Sequence, residues 1–309
     1  MTRVSVVLPA WNGMRWLPEL IARLRAQDLA AELVALDSGS RDGTRELLER
    51  EADVFVEVPP SEFDHGLTRN LGIERSSGDL VVLLTQDALP ADPRWLRELV
   101  HPFEDPLVAG ASSRQLPRPD ASPVTRLALA GWHAAGATPR KVRFESAAEF
   151  DALAPLEQLA ACIFDDVCSC LRRSVWLHHP FRRAGIAEDL IWAREVLRAG
   201  HALAFAAGSA VFHSHERSPA YELKRTFVLH RQLHALFGVR TLPGPASLAR
   251  AVSSQIFAHA QAALSGPGGI GSTREAARGL LLAVAWPLGQ YLGGLAGTAG
   301  IGPEKLEGV

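Results

Sequence analysis

Cysteine is scarce in this chain of 309 residues, and the positive and negative charges nearly cancel. The three cysteines, Cys162, Cys168 and Cys170, cannot form a disulfide framework, so a reducing compartment is expected. Their Cys-x-Cys pair has no second pair at zinc spacing, which favours small buried residues in a strand over a metal site. A formal net charge of -2 gives no electrostatic basis for binding nucleic acid.

The N-terminus lacks a basic segment followed by a long apolar run. Residues 3–9 are too short for a signal peptide and are expected to form a first strand. Residues 279–302 carry no charge, and a stretch of that length can span a bilayer. Pro287, Gln290 and many glycines make it weakly hydrophobic, so a packed helix or one on a membrane surface is preferred to a span.

Apolar runs alternate with helical patterns through the first hundred residues. Strands are predicted at 4–8, 33–36, 54–58 and 80–84, and helices at 14–26, 44–50, 67–74 and 94–99. Nearly continuous apolar strands separated by helices predict an α/β fold with a largely parallel sheet covered on both faces. Ligands of such sheets bind outside the carboxyl ends of the strands, so the polar residues there become the candidates for function.

The pattern loosens beyond about residue 115. We predict a helix at 122–135, a polar insertion at 141–159 lining an acceptor site, a strand-like segment at 163–175, a helix at 187–199 closed by Gly200, short strands at 203–206 and 210–212, and helices at 220–237, 245–264 and 273–295. Pro243, Pro245 and Gly266-Pro267-Gly268-Gly269 mark the joints of the last part. A catalytic domain at 1–215 and a C-terminal helical region at 216–309 are therefore expected.

The second predicted strand ends in Asp37-Ser38-Gly39-Ser40-Arg41-Asp42-Gly43-Thr44. Glycines and short hydroxyl residues let the backbone approach a ligand, and Asp37 offers acceptors to ring N–H or ribose hydroxyl groups. Asp42 is expected to cap the next helix. Asp37, at the tip of the strand, is left as the candidate for ligand binding.

The fourth predicted strand ends in Gln86-Asp87-Ala88, and a carboxylate there can hold a divalent cation while a diphosphate completes the shell. Asp92 is better placed than Asp87 to cap the following helix, because Pro93 suits its first position. Further on, His213 and His215 lie on the same side of an extended segment. They could complete a metal shell or contact phosphate, and ordinary polar packing is the alternative.

Glu188 and Asp189 open a predicted helix, where acids also favour the helix dipole. Their side chains point about 100° apart, so one of them faces the ligand and could take a proton from an acceptor hydroxyl. Four cations are candidate partners of a diphosphate or, singly, solvated surface charges: Arg69, Lys224, Arg225 and Arg231.

In their order along the chain, these motifs resemble family 2 glycosyltransferases over about residues 3–215. The motifs are Val6-Val7-Leu8-Pro9-Ala10-Trp11-Asn12, the Asp37 loop, Arg69-Asn70-x-Gly72, Gly78-Asp79, Gln86-Asp87-Ala88 and Glu188-Asp189. Three further motifs resemble the bacterial rhamnosyltransferase branch: Phe63-Asp64-His65-Gly66, Thr85-Gln86-Asp87-Ala88 and His213-Ser214-His215.

The resemblance implies a GT-A fold and inverting transfer from a nucleotide sugar. The site residues that it implies are Pro9, Ala10, Asn12, Asp37, Ser38, Arg69 and Gln86 for the nucleotide, Asp87 with His213 or His215 for a metal, and Asp189 as base with Glu188 as the alternative. The sequence departs from the family pattern at Gly13, where an acid is common, and at Gln86, which leaves one carboxylate in place of two.

The chemistry that the resemblance implies explains a lone acid at the strand tip. A divalent cation, Mg²⁺ or Mn²⁺, neutralises the leaving diphosphate and replaces the acid that a glycoside hydrolase needs. We expect dTDP-L-rhamnose as donor and a lipid-linked or cell-surface glycan as acceptor. The expected location is the cytoplasm at the inner face of the membrane, with peripheral contact through the C-terminal helices.

Three alternatives to this expectation differ in donor or in chemistry. A UDP- or GDP-sugar could be the donor in the same fold. A non-catalytic nucleotide-sugar-binding scaffold should have lost the acid at position 87 or 189, and both are present. Nucleotidyl transfer usually needs a glycine-rich, basic phosphate loop near the N-terminus, which residues 9–15 do not supply.

Overall fold

The computed structural model describes residues 2–265 and 273–299. The predicted joint at Gly266-Pro267-Gly268-Gly269 and residues 300–302 of the uncharged stretch lie outside the described residues. The chain divides into two compact units, which are interleaved along the sequence. Unit 1 comprises Met1–Leu116, His133–Ala154 and Ala160–His213, and unit 2 comprises Pro117–Trp132, Pro155–Leu159 and Ser214–Val309. The predicted division at residue 215 stays a prediction.

Unit 1 is built around a nine-stranded sheet with the path β3-β2-β1-β4-β8-β6-β9-β5, and β7 pairs with β9. Its strands are β1 (Val4–Ala10), β2 (Glu32–Asp37), β3 (Val54–Glu57), β4 (Leu80–Leu84), β5 (Leu89–Pro90), β6 (Val108–Leu116), β7 (Arg140–Arg143), β8 (Cys168–Arg172) and β9 (Ala202–Phe212).

The helices surround this sheet or form unit 2, and several short 3₁₀ turns join them. They are α1 (Leu17–Arg25), α2 (Thr44–Glu51), α3 (His65–Arg75), α4 (Trp95–Val100), α5 (Pro123–Ala130), α6 (Ala147–Asp151), α7 (Pro155–Ala161), α8 (Arg173–Trp176), α9 (Glu188–Arg198), α10 (Pro219–Phe237), α11 (Pro245–Ser265) and α12 (Thr273–Thr298).

The first half of the sheet is parallel, as predicted. Strand β1 pairs in parallel with β2 and β4, and β2 pairs in parallel with β3. Strands β1, β2 and β4 are apolar and buried because helices cover both faces of a parallel sheet. Helix α3 packs closely on β1, since a side chain at Gly72 would collide with Val7 and Leu36. That close approach fixes the position of Arg69 one turn earlier.

Local capping departs from the predictions at two helices, in the start of α3 and in the N-cap of α2. Helix α3 begins at His65, not at residue 67, since the Asp64 carboxylate accepts the amides of Gly66 and Leu67. Helix α2 has Gly43 as its N-cap, with φ of 95°. Asp42 therefore does not cap α2 as expected, although its carboxylate accepts the Thr44 amide from the preceding loop.

The second half of the sheet is mixed and departs from the predictions. Strand β8 lies antiparallel between β4 and β6, and it occupies only Cys168–Arg172 of the predicted 163–175 segment. The segment at 203–212 is one strand with a bulge-like register shift, not two. Strand β6 was not predicted. The insertion predicted at 141–159 contains most of β7 and two helices, α6 and α7. The helix predicted to reach residue 135 ends at Ala130.

The cysteines occupy apolar positions, as predicted. Cys168 and Cys170 are buried in β8, while Cys162 is buried directly after α7 and lies outside a strand. Burial raises the pKa of the Cys162 and Cys168 thiols to about 12, so both stay protonated at neutral pH. Protonated, buried thiols do not suit a metal site, which supports the packing interpretation.

In unit 2, α12 packs along α10 through glycines at a four-residue spacing. Side chains at Gly289, Gly293 and Gly297 would collide with the backbone or side chains of α10. Among the described helices, α12 from Arg274 to Thr298 is long and apolar enough to cross a membrane, yet half of its apolar window is buried within the protein. The core helix of a soluble protein has the same properties, so the packed helix that was predicted fits this arrangement.

Candidate active site

The ends of β1 and β2 meet at one point of the sheet edge. Ala10 pairs with Asp37, and the Ser38 amide donates to the Ala10 carbonyl at 3.0 Å. The Asp37 side chain is only 3% exposed, and its Oδ2 accepts the amides of Gly39 and Ser40, each at 3.0 Å. Asp37 Oδ1 and Ser38 Oγ are buried without a hydrogen-bond partner in the described part of the chain. Unpartnered buried acceptors are costly, so these two atoms are suited to a ligand's N–H or O–H groups.

The loop after β1 is held rigid beside Asp37. Asn12 has a left-handed φ of 47°, its amide donates to Ser40 Oγ at 2.8 Å, and its Oδ1 accepts the Arg41 amide at 2.9 Å. Gln86 Oε1 accepts the Trp11 amide at 2.9 Å, and Gln86 Nε2 donates to the Trp11 carbonyl at 3.1 Å. The side chains of Asn12 and Gln86 therefore fix the shape of this loop.

The structure suggests roles for two residues of this loop, Trp11 and Gly13, that were not predicted from the sequence. Trp11 is 60% exposed, and an exposed indole beside unpartnered acceptors offers a surface for stacking a flat ring. At Gly13 an added side chain would meet Gln86 Oε1 at 2.5 Å, so the glycine leaves room for the Gln86 clamp. Pro9 and Ala10 lie immediately before this loop at the end of β1.

Asp87 and two histidines form a cluster suited to a metal ion. Strand β5 pairs antiparallel with β9 so that Leu89 lies opposite Phe212, which brings Asp87 beside His213. His213 Nε2 lies 3.8 Å from Asp87 Oδ1, and the two side chains are 12% and 17% exposed. Asp87, His213 and His215 each offer one ligand atom, and these atoms all lie within 4.8 Å of one another. One carboxylate and two imidazoles can hold a divalent cation such as Mn²⁺ when phosphate oxygens complete the shell.

Arg69 and Glu188 form a buried ion pair. Arg69 Nη1 donates to Glu188 Oε1 at 2.7 Å, and the guanidinium also donates to the carbonyls of His65 at 3.1 Å and Asp166 at 3.4 Å. Both side chains are largely buried. Glu188 is thus held by the Arg69 guanidinium. Contact of Arg69 with a nucleotide stays a prediction.

Asp189 follows Glu188 at the start of α9 and is less buried. Burial, followed by the negative charges of Glu188, Asp166 and Asp165, raises its pKa well above the ordinary range of an aspartate. The residue before this helix, Ala187, has a left-handed φ of 65°, which a residue with a side chain seldom adopts. Strained backbone of this kind is concentrated at functional sites.

Asp165 and Asp166 join this acidic group, and sequence reasoning missed both. They precede β8, and a pair of acids at the entry of an apolar segment was the signal available. Asp166 accepts the Ser169 hydroxyl at 2.8 Å through Oδ1, while its buried Oδ2 has no partner in the described ranges. Burial, opposed by Arg69 and aided by Glu188, raises the pKa of Asp166 to about 7.

The wild-type protein is expected to lose stability as the pH rises from about 4 to 7, and Asp166→Asn is expected to reduce that loss. The carboxyl group has an ordinary pKa of 3.8 in the unfolded chain and a pKa of about 7 in the folded protein. Between these values only the folded state holds the proton, so the free energy of unfolding falls as pH rises. At about 1.4 kcal/mol per pH unit, the loss reaches at most roughly 4 kcal/mol.

Urea denaturation at pH 5 and pH 8 measures this effect in wild type, Asp166→Asn and the exposed control Asp120→Asn. The wild type and the control should lose more stability between these pH values than Asp166→Asn does. Equal losses in all three proteins would show that Asp166 is ionised throughout.

The remaining predicted cations lie in α10, in unit 2. Lys224 is exposed, Arg225 is half-buried and Arg231 is buried. Their contact with a diphosphate stays a prediction.

Residues 5–174 of the chain match glycosyl transferase family 2. The O-antigen chain rhamnosyltransferase RfbN of Salmonella typhimurium is 31% identical over 232 residues, covering 73% of this chain and 70% of that protein. The O-antigen chain rhamnosyltransferase WbaN of Salmonella anatum is 30% identical over 234 residues, covering 74% of this chain and 71% of that protein.

A likeness to a solved structure supports the fold. The mannosyltransferase PcManGT from Pyrobaculum calidifontis, in complex with GDP-Man and Mn²⁺, has a TM-score of 0.55 and 20% identity, covering 97% of this chain and 76% of that chain. The predicted GT-A fold is thereby confirmed. Because the family match extends over more than half of the sequence and the two relatives match over most of it, the chain belongs to glycosyl transferase family 2 and is a glycosyltransferase.

Proposed function

We propose that this glycosyltransferase transfers L-rhamnose from dTDP-L-rhamnose to a hydroxyl group of a glycan, with inversion and in a single displacement. The observation that carries the proposal is the cluster of Asp87, His213 and His215, which could hold a metal ion. The buried, unpartnered Oδ1 of Asp37 at the end of β2 and the raised pKa of Asp189 at the start of α9 add support. Rhamnose is supported by the names of the two Salmonella relatives.

Asp189 is the general base in this proposal. Its raised pKa makes it a stronger proton acceptor than an ordinary aspartate, which suits removal of a proton from an attacking hydroxyl. Glu188 is the weaker candidate because its carboxylate is already engaged in the buried ion pair with Arg69. Arg69 thus holds Glu188 in place, and Asp189 is the carboxylate of the two that does not pair with this guanidinium.

Asp87, His213 and His215 hold a divalent cation, Mg²⁺ or Mn²⁺, in this proposal. When bound, the cation supplies charge neutralisation for the diphosphate that leaves. The cluster's own contribution is one negative charge and two neutral nitrogens, which leaves coordination positions for phosphate oxygens. The carboxylate and the positions left for phosphate oxygens support this assignment, and the two nitrogen ligands favour Mn²⁺ over Mg²⁺.

The nucleotide base lies at Asp37 and Ser38, in the pocket shaped by Pro9, Ala10 and Asn12. Thymine and uracil carry a ring N–H between two carbonyls, and Asp37 Oδ1 is a buried acceptor suited to that N–H. Guanine also has a ring N–H, so Asp37 alone does not select the nucleotide.

A thermal-shift panel of nucleotide sugars with and without Mn²⁺ tests the donor. We expect dTDP-L-rhamnose with Mn²⁺ to raise the melting temperature by on the order of 5 °C at a hundredfold excess over Kd. Asp37→Asn should abolish most of that rise, because an amide that also presents N–H donors fits the base poorly, while Asp120→Asn should keep it. A rise with UDP- or GDP-sugars alone would identify another donor, and no response to any of them would contradict nucleotide-sugar binding.

The acceptor is a lipid-linked or cell-surface glycan, and the C-terminal helices contact the membrane peripherally at its cytoplasmic face. Exposed apolar side chains on α11 and α12, among them Phe257, Leu280 and Leu281, support this contact. Co-sedimentation with anionic vesicles measures it, and an equal amount of protein in the supernatant with and without vesicles would contradict it.

A further inference from the structure

A second layer of polar side chains lies behind the Asp87–His213 pair. Gln115 Oε1 lies 3.0 Å from His213 Nδ1, and Gln115 Nε2 donates to Asp165 Oδ2 at 2.7 Å. Gln115 is only 4% exposed. The side chains therefore form a row within unit 1, in the order Asp165, Gln115, His213 and Asp87. Neither Gln115 nor Asp165 belongs to the predicted site.

The backbone places these groups in fixed positions. Gln115 of β6 pairs with Val211 of β9, and the His213 amide donates to the Leu116 carbonyl at 2.9 Å. Asp165 is fixed in turn, because its Oδ1 accepts the Val167 amide at 3.0 Å. Neighbouring strands and a local turn thus hold the hydrogen-bonded groups.

The hydrogen bonds determine which nitrogen of His213 carries the proton. A carboxylate only accepts hydrogen bonds, so the Gln115 NH₂ group must face Asp165. The Gln115 carbonyl oxygen then faces His213 Nδ1, and an amide oxygen also only accepts. Nδ1 must therefore be the N–H of the imidazole, which leaves the lone pair on Nε2, the atom 3.8 Å from Asp87 Oδ1.

We infer that Gln115 and Asp165 are positioning residues that hold His213 in the Nδ1–H tautomer, with the Nε2 lone pair directed at the cation. The inference rests on the proposed cation site and adds the groups that prepare its nitrogen ligand. A ligating histidine generally donates its other N–H to a fixed acceptor, and loss of that acceptor weakens metal affinity by about 10- to 100-fold. Without Gln115, the imidazole is free to place its proton on Nε2 and block the ligand atom.

The experiment has two readouts, neither of which needs turnover. Long-range ¹H–¹⁵N NMR at pH 8 without metal reports the tautomer of His213, whose signals are identified by their loss in His213→Ala. Titration with Mn²⁺, followed by the EPR signal of the free ion, gives the affinity. The proteins are wild type, Gln115→Leu, Asp165→Asn and the matched control Gln261→Leu on the exposed surface of α11.

We expect the Nδ1–H tautomer in wild type and in Gln261→Leu, with equal Mn²⁺ affinity. Gln115→Leu should show the Nε2–H tautomer that free imidazole prefers in water and bind Mn²⁺ about 10- to 100-fold more weakly. Asp165→Asn keeps the volume of the side chain but allows the Gln115 amide to turn over, so that its NH₂ group can face His213. This variant should therefore also show the Nε2–H tautomer and weaker Mn²⁺ binding. This second variant serves if Gln115→Leu does not fold.

The outcomes separate this inference from the proposed function. If wild type binds Mn²⁺, His213→Ala does not, and both variants keep the wild-type tautomer and affinity, the positioning role is wrong while the cation site stands. If wild type itself does not bind Mn²⁺, the cation site is wrong and the inference is overturned with it. An Nε2–H tautomer in the wild type would overturn the inference whatever the affinity.

Discussion

Asp189→Asn is expected to lower kcat of sugar transfer by at least about 10³-fold while leaving the fold intact. General base catalysis contributes about 10²- to 10⁴-fold, and an amide cannot take the proton of the acceptor hydroxyl. Asn has nearly the shape of Asp and can still accept the Leu190 amide, as Asp189 does at 2.7 Å. The substitution therefore removes the base without removing its local hydrogen bond, and single-turnover kinetics with saturating donor measures the loss.

Two variants determine whether the loss is specific to Asp189. The exposed control Asp120→Asn should keep full activity. Glu188→Gln should lower stability more than Asp189→Asn does, because it leaves the Arg69 guanidinium buried without its carboxylate partner. An Asp189→Asn protein with most of its turnover, together with an inactive but folded Glu188→Gln, would transfer the role of base to Glu188.

The pH dependence of wild-type turnover provides a further check on this assignment. Because the pKa of Asp189 is raised, the ionised base is lost as pH falls through a range above that of an ordinary aspartate. Turnover should therefore decline on the acid side at a higher pH than is usual for a carboxylate base. A profile that stays flat down to the ordinary range would contradict the raised pKa or the role as base.

The parallel half of the sheet was predictable because its strands are continuous apolar runs. The segments at β1, β2 and β4 are rich in branched apolar residues and lie between clear helical patterns, so both type and order could be predicted. The carboxyl ends of such strands meet at one edge, and this is why Asp37 and Asp87 could be selected as candidate site residues from the amino-acid sequence alone.

Strand β6 was not predicted because its sequence, VAGASSRQL, is small and polar. Its burial depends on neighbours that are distant in sequence: a side chain at Gly110 would collide with Phe164 and Trp192, and Ser113 Oγ hydrogen-bonds to Ser209 at 2.7 Å. Tertiary contacts of this kind leave no periodic pattern in the strand itself. The functional consequence is that Gln115, at the end of β6, could not be recognised as a neighbour of His213.

The acidic residues before β8 were missed for a related reason. An apolar segment that enters a sheet antiparallel between two other strands gives no sequence signal for its partners. Strand pairing places Asp165 beside Gln115. It also places Asp166 near the charges of Arg69 and Glu188. Local sequence predicted candidate ligand groups at the strand tips, whereas the side chains that contact those candidates are brought there by the pairing of β8 and β6.

Asp87→Asn is expected to weaken Mn²⁺ binding by at least about 100-fold and to reduce turnover at a fixed Mn²⁺ concentration at least as much. The substitution removes the one negative charge of the cluster and leaves two neutral imidazoles, which hold a hard dication poorly without an anionic oxygen. EPR titration of free Mn²⁺ measures the affinity, and turnover is measured over a range of Mn²⁺ concentrations.

The matched variants His213→Ala and Asp120→Asn distinguish the possible causes of a loss. His213→Ala should weaken Mn²⁺ binding as Asp87→Asn does, and Asp120→Asn should change nothing. If the lost activity of Asp87→Asn returns at high Mn²⁺, the carboxylate acts mainly by holding the cation, because mass action then refills the site. If Asp87→Asn binds Mn²⁺ as tightly as wild type, this carboxylate is not a ligand. Transfer by the wild type at full rate with a chelator present would contradict any part for a cation, and Asp37 with Asp189 would then be left to act on the donor and the acceptor alone.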